Sequence, residues 1–136
     1  MPHLFPQQPT PIRVLVVDDD FGYAASLSAI LSGNPRLAVV GRAADGDEAI
    51  DRARELRPDV VVLDVNMPRL DGFAAAAAIR RDLPSARIVI ISGARASDHP
   101  ARAREAGADV FLPKDVDFGT LADVVADTPE DIAAAV

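Results

Sequence analysis

The stretch Asp59-Val60-Val61-Val62-Leu63-Asp64-Val65-Asn66-Met67-Pro68-Arg69-Leu70-Asp71-Gly72 decides how the chain folds. Four consecutive branched aliphatics run straight into an acid, whereas a strand with one solvated face would alternate apolar with polar residues. Val60 to Leu63 therefore reads as a strand buried on both faces, with Asp64 at its carboxyl end. A carboxylate there is held on a rigid element at the mouth of a sheet, and Met67-Pro68 directs the chain away from it. That suits a nucleophile. Taken alone, the pattern favours a plainer role, an aspartate that ends a strand or caps the next helix, because N-caps favour Asp.

On the amino-terminal side, Ile12 to Val17 is another short β-branched run of strand length, and it stops at Asp18-Asp19-Asp20. One of these acids can N-cap the helix that follows, whose apolar positions Ala24, Leu27, Ile30 and Leu31 recur at helical spacing until Gly33-Asn34-Pro35. The other two are surplus to capping. Leu37 to Gly41 is a further strand, and Asp45-Gly46-Asp47 opens a helix through Glu48, Ala49, Ala53 and Leu56 that ends before Pro58. On the carboxyl side, an alanine-rich helix runs from Phe73 to about Asp82 and is terminated by Pro84. Arg87 to Ile91 is a strand ending in Ser92-Gly93, and Asp98-His99-Pro100 starts a short helix that ends at Gly107. Val110 to Leu112 is a brief strand ending at Pro113-Lys114, and the last helix covers Phe118 to Ala126. A proline cannot donate to the ladder, so Pro113 places the fifth strand at an edge.

Five strands alternating with five helices through short connections predict an α/β fold, a doubly wound parallel sheet with right-handed crossovers. In such a sheet the ligand site lies beyond the carboxyl ends of the strands, where the strand order reverses. A flavodoxin-like order of 2-1-3-4-5 sets strands one and three side by side there. Their ends carry Asp18, Asp19 and Asp64, while strand four ends in Ser92 and strand five in Lys114. Three carboxylates within a few ångströms cannot all ionise unless a cation joins them or one pKa rises strongly. Mg2+ is the natural cation, since it takes a few carboxylates and carbonyls and keeps waters for a phosphate. The Lys114 ammonium and the Ser92 hydroxyl both suit phosphoryl oxygens. Lys114 is the only lysine, arginine supplying the other thirteen of fourteen cationic residues.

Composition narrows the remaining classes. With 136 residues and 49% hydrophobic content the chain can bury a full core as one domain. Residues 1–11 carry Pro2, Pro6, Pro9 and Pro11 and read as an extended tail, 12–127 as the domain, and 128–136 as a carboxyl-terminal segment or linker. The absence of cysteine excludes disulfides and Cys-based zinc sites. A formal charge of -7 argues against a nucleic-acid surface on this segment. No apolar run reaches the length of a membrane span, and the start lacks the features of a signal peptide, which predicts a cytoplasmic location.

Four motifs, matched in order and at appropriate spacing, resemble the receiver domain of two-component response regulators over about residues 12 to 126. They are Val16-Val17-Asp18-Asp19, the segment Leu63 to Gly72, Ile91-Ser92-Gly93 and Phe111-Leu112-Pro113-Lys114. The resemblance implies that Asp64 accepts a phosphoryl group from a phosphohistidine of a sensor histidine kinase. It further implies that Asp19, Asp64 and the main-chain carbonyl of Asn66 hold Mg2+, with Asp18 acting through a bound water or alongside. Lys114 would pair with phosphoryl oxygens. Ser92 would swing to the phosphorylated Asp64 and Phe111 would turn into the vacated space, switching the surface from strand four to helix five. On this reading the chain is a phosphoacceptor switch and not an enzyme acting on other substrates.

Two departures qualify the resemblance. Phe111 stands where many members have Tyr, which keeps the packing switch and omits the hydroxyl. Asp115 follows Lys114 where many receivers have Pro, which disfavours a cis peptide there. The Lys114-Asp115 form is similar to receivers that precede a helix-turn-helix DNA-binding domain, which implies transcription regulation as the output. Arg95, Arg102 and Arg104 on helix four form a basic strip that could meet Asp115, Asp117 and Asp123 of a second copy, giving a homodimer through the helix 4, strand 5 and helix 5 face. Two other classes compete: a phosphorylation-independent interaction module, and an aspartate-based phosphatase. The latter needs a general acid near the nucleophile, and two residues on from Asp64 stands Asn66.

Overall fold

Alternate residues of each aliphatic run face opposite sides of one sheet, which is why these runs carry no polar positions. The computed structural model describes residues 10–66, 71–93 and 99–127. Strands and helices alternate as β1 (Ile12–Val17), α1 (Phe21–Ser32), β2 (Leu37–Ala43), α2 (Gly46–Leu56), β3 (Val60–Asp64), α3 (Gly72–Asp82), β4 (Arg87–Ser92), α4 (His99–Glu105), β5 (Val110–Pro113) and α5 (Phe118–Ala126). All strand pairs are parallel, in the order β2-β1-β3-β4-β5. The flavodoxin-like order and the edge position of β5 agree with the reading of the sequence.

Two apolar layers sandwich the sheet. Leu15, Val17, Leu63 and Ile90 point to the side covered by α2, α3 and α4, where Ala49, Ala53, Ala76 and Ile79 meet them. Val14, Val16, Val62 and Ile91 point to the side of α1 and α5, against Leu27, Leu31, Leu121 and Val125. The alanines of α3 that are fully buried, Ala75 and Ala76, let that helix approach the sheet closely.

Among the described residues, four helices open on an aspartate. The side chains of Asp20, Asp45, Asp71 and Asp117 accept from the amides of Tyr23, Glu48, Ala74 and Thr120. Asp20 is thus the capping member of the acidic triplet. Because Asp71 caps α3, Asp64 has no capping duty, and its plainer reading falls away.

Three details differ from the expectation. β2 continues past Gly41 to Ala43, because a register shift between Val14 and Leu15 lets its last residues pair with the end of β1. Ile30 is 47% exposed although it falls at helical spacing, since Leu27 and Leu31 already fill the contact of α1 with the sheet. Arg102 is exposed but already engaged within its own chain: its guanidinium lies 4.3 Å from the Phe73 ring centroid and 3.9 Å from Asp71 Oδ2. Pro2, Pro6, Pro9, Met67-Pro68, Arg95, Asp98 and the segment 128–136 lie outside the described residues. Among the described residues no peptide is cis, which includes the one after Lys114.

Candidate functional site

The register of β1 against β3 pairs Val17 with Leu63, so the next residues, Asp18 and Asp64, emerge side by side at neighbouring strand ends. Both carboxylates are buried, at 3% and 1% exposure, while Asp19 is exposed at the rim. One carboxylate oxygen from each of Asp18, Asp19 and Asp64 lies within 4.8 Å of the others. The two acids of the triplet left over from capping and the aspartate at the end of β3 therefore share one pocket.

The same local turn orients two of them. Asp18 Oδ1 accepts from the amide of Asp20 at 2.8 Å, and Asp64 Oδ1 accepts from the amide of Asn66 at 2.9 Å. An aspartate that binds the amide two residues on fixes its own side chain. In both cases Oδ2 is left facing Lys114. The Lys114 ammonium lies 2.9 Å from Asp18 Oδ2 and donates to Asp64 Oδ2 at 3.2 Å. Its backbone is anchored by the amide of Lys114 donating to the carbonyl of Ser92 at 2.9 Å.

Burial pushes the Asp18 carboxyl above its usual range, and the Asp64 charge adds to this against the Asp20 amide and Lys114. Burial acts to lower the Lys114 pKa, but the contact with Asp18 and the charge of Asp64 outweigh it and the amine ends raised. Two buried carboxylates thus share one ammonium, with the Asp19 carboxylate beside them. Asp18 Oδ2, close to Lys114 but off the hydrogen-bonding direction, has no hydrogen-bond partner. A buried acceptor with spare capacity among excess negative charge fits a hard divalent cation held by oxygen ligands.

Ser92 is buried at the end of β4, where its Oγ accepts from Asn66 Nδ2 at 3.3 Å. Asn66 thereby joins the two strand ends, its amide on Asp64 and its side chain on Ser92. Phe111 is half-buried and packs on the layer shared with α3 and α4. Beside the acids a cavity of about 200 Å³ is lined by Asp18, Asp19, Phe21, Ala24 and Arg42 among others.

One neighbour escaped the reading of the sequence. Lys114 Nζ lies 4.5 Å from the ring centroid of Tyr23, on the first turn of α1. The only local signal was the position of Tyr23 three residues after a helix cap, which says nothing of Lys114.

A family model described as the response regulator receiver domain matches residues 14–126. The chain belongs to this family. Among relatives of the receiver domain, a protein-glutamate methylesterase/protein-glutamine glutaminase of Myxococcus xanthus (strain DK1622) is 50% identical over 107 residues, which cover 76% of this chain and 30% of the relative. The chain thus spans about a third of that relative's length. The signal receiver domain of a response regulator designated NarL from Mycobacterium tuberculosis superposes with a TM-score of 0.82 at 33% identity, covering 94% of this chain and 100% of that one. A CheX-CheY complex from Borrelia burgdorferi with BeF3 and Mg2+ gives a TM-score of 0.79 at 26% identity, covering 93% and 90%. Receiver domains bind Mg2+ at an acidic pocket, and here such a pocket is formed by Asp18, Asp19 and Asp64. Among the described residues no helix is long and apolar enough to cross a membrane.

Proposed function

We propose that this receiver domain is a cytoplasmic phosphoacceptor switch in which Asp64 takes a phosphoryl group from the phosphohistidine of a sensor histidine kinase. One Asp64 oxygen attacks phosphorus; the P–O bond forms as the P–N bond to the imidazole breaks, and the imidazole leaves with the electron pair and takes up a proton. The observation that carries this reading is the convergence of oxygens from Asp18, Asp19 and Asp64 within 4.8 Å of one another, two of the three carboxylates sharing a single ammonium. Asp18, Asp19, Asp64 and the main-chain carbonyl of Asn66 would hold Mg2+, as the Borrelia complex containing Mg2+ supports. When bound, that ion neutralises the crowded carboxylates and the phosphoryl oxygens.

Lys114 then moves from its carboxylates to the phosphoryl group. Ser92 exchanges its contact with Asn66 for a hydrogen bond to phosphorylated Asp64, and Phe111 turns inward, so that two packings of the β4 to α5 surface exchange populations. That surface controls the output, through dimerisation or through an effector. The resemblance to receivers of helix-turn-helix regulators supports transcription regulation as the output class. Arg102 and Asp117 are engaged within the chain, so a dimer through α4, β5 and α5 would draw on their neighbours.

The test is incubation with a histidine kinase or acetyl phosphate and Mg2+, read by intact mass. Wild type should gain one phosphoryl group and Asp64→Asn none. Labelling retained in Asp64→Asn would overturn the assignment. No labelling of wild type, together with no Mg2+ affinity, would support the interaction module instead.

A further inference from the structure

We propose that Tyr23 is a positioning residue for Lys114, its ring holding the ammonium over the acidic pocket where phosphoryl oxygens arrive. The inference rests on the phosphoacceptor reading and extends it to a side chain outside the four motifs. Lys114 Nζ stands 4.5 Å from the ring centroid, and the ring meets that of Phe118 edge-on, with centroids 5.4 Å apart and planes at 63°.

The ring is fixed from two directions. The Tyr23 amide donates to Asp20 Oδ1 at 3.0 Å, and the Asp20 amide donates to Asp18 Oδ1, so the backbone of Tyr23 is tied through the helix cap to a pocket carboxylate. Phe118 follows Asp117, the cap of α5, and its ring packs edge-on with that of Tyr23. A lysine on a four-carbon stem has much rotamer freedom to lose. An aromatic face attracts an ammonium without demanding one hydrogen-bond direction. Lys114 can therefore pass from carboxylate to phosphoryl oxygens while it stays over the ring, whereas each carboxylate contact has to be given up.

The ring and not the hydroxyl carries this role. Among the described residues the Tyr23 hydroxyl is buried without a hydrogen-bond partner. Tyr23→Phe keeps the face and removes an unsatisfied polar atom, while Tyr23→Leu keeps apolar bulk and removes the face.

The chain holds one lysine and one tyrosine, so both signals are unique in an NMR spectrum. Lys114 Hε protons should be shifted upfield in wild type and Tyr23→Phe, and return toward the free-lysine position in Tyr23→Leu. With acetyl phosphate and Mg2+, Tyr23→Leu should label about threefold to tenfold more slowly than wild type, and Tyr23→Phe within about twofold of it. In a Lys114→Met background Tyr23→Leu should cause no further loss, which a merely structural role would not produce. Wild-type rates in Tyr23→Leu, an undiminished loss in the Lys114→Met background, or an unshifted Lys114 Hε in wild type would each overturn the proposal. If wild type is not labelled at all, the phosphoacceptor reading fails and the role in transfer with it, while the Hε shift still decides whether the ring holds the lysine.

Discussion

Lys114 Nζ stands 2.9 Å from Asp18 Oδ2, an ion pair whose carboxylate side chain is 1% exposed. The same ammonium reaches Asp64, so the carboxylates at the ends of β1 and β3 share one positive charge. A buried carboxylate stripped of its partner is costly, and a divalent ion drawn to the same oxygens competes with the lysine. Lys114→Met, which keeps the apolar stem, should melt below wild type in chelator and gain more from saturating Mg2+. Affinity tightened tenfold would add about 1.4 kcal/mol of Mg2+-linked stability. Equal Mg2+ gains in the two proteins would mean that lysine and ion do not share these carboxylates.

The raised pKa of Asp18 sets a direction for pH. Its native carboxyl keeps a proton that the unfolded chain has already released, over the interval just above the ordinary value of 3.8. The native state binds more protons there, so the contribution of this group to stability falls as pH rises through the interval. Mg2+ requires the carboxylate, so its affinity rises with pH over the same range. Denaturant melts and Mg2+ titrations of wild type and Asp18→Asn, from about pH 4 to about pH 7, check both slopes. Both should flatten in Asp18→Asn, and an unchanged wild-type slope in that variant would assign the effect to another group.

Gly72 begins α3 directly against the end of β3. A Cβ added there would stand 2.4 Å from Val65 Cα and 2.7 Å from the Asp64 carbonyl oxygen, and backbone atoms cannot step aside as a side chain tip can. Gly72→Ala should therefore cost about 3 kcal/mol and lower Tm by on the order of 10 °C. Because the displaced atoms belong to Asp64 and its neighbour, the labelling rate of the folded fraction should fall as well. A variant with wild-type Tm would show that α3 can shift away from β3 at little cost.

The element pattern was legible because its causes are local. Uninterrupted aliphatic runs mark strands buried on both faces, Asp before a helix marks a cap, and Pro113 marks an edge. Local chemistry was ambiguous where one residue type serves two ends: the sequence could not say which of Asp18, Asp19 and Asp20 caps α1, and the hydrogen bond from the Tyr23 amide assigns that duty to Asp20. It also misled at Ile30, where helical spacing is satisfied and burial is not, and at β2, whose extension depends on a register shift in its partner.

By itself, then, the sequence determined the α/β order of elements and the candidates Asp18, Asp19, Asp64, Ser92 and Lys114, since periodicity, caps and strand ends are properties of neighbouring residues. Only the tertiary structure decided that Lys114 lies over Tyr23 and Tyr23 against Phe118, that Arg102 turns back onto Phe73, and that Gly72 abuts the Asp64 carbonyl. Those contacts join residues on different elements, and they arise from how α1, α4 and α5 pack around the sheet, a geometry that no short stretch of chain encodes.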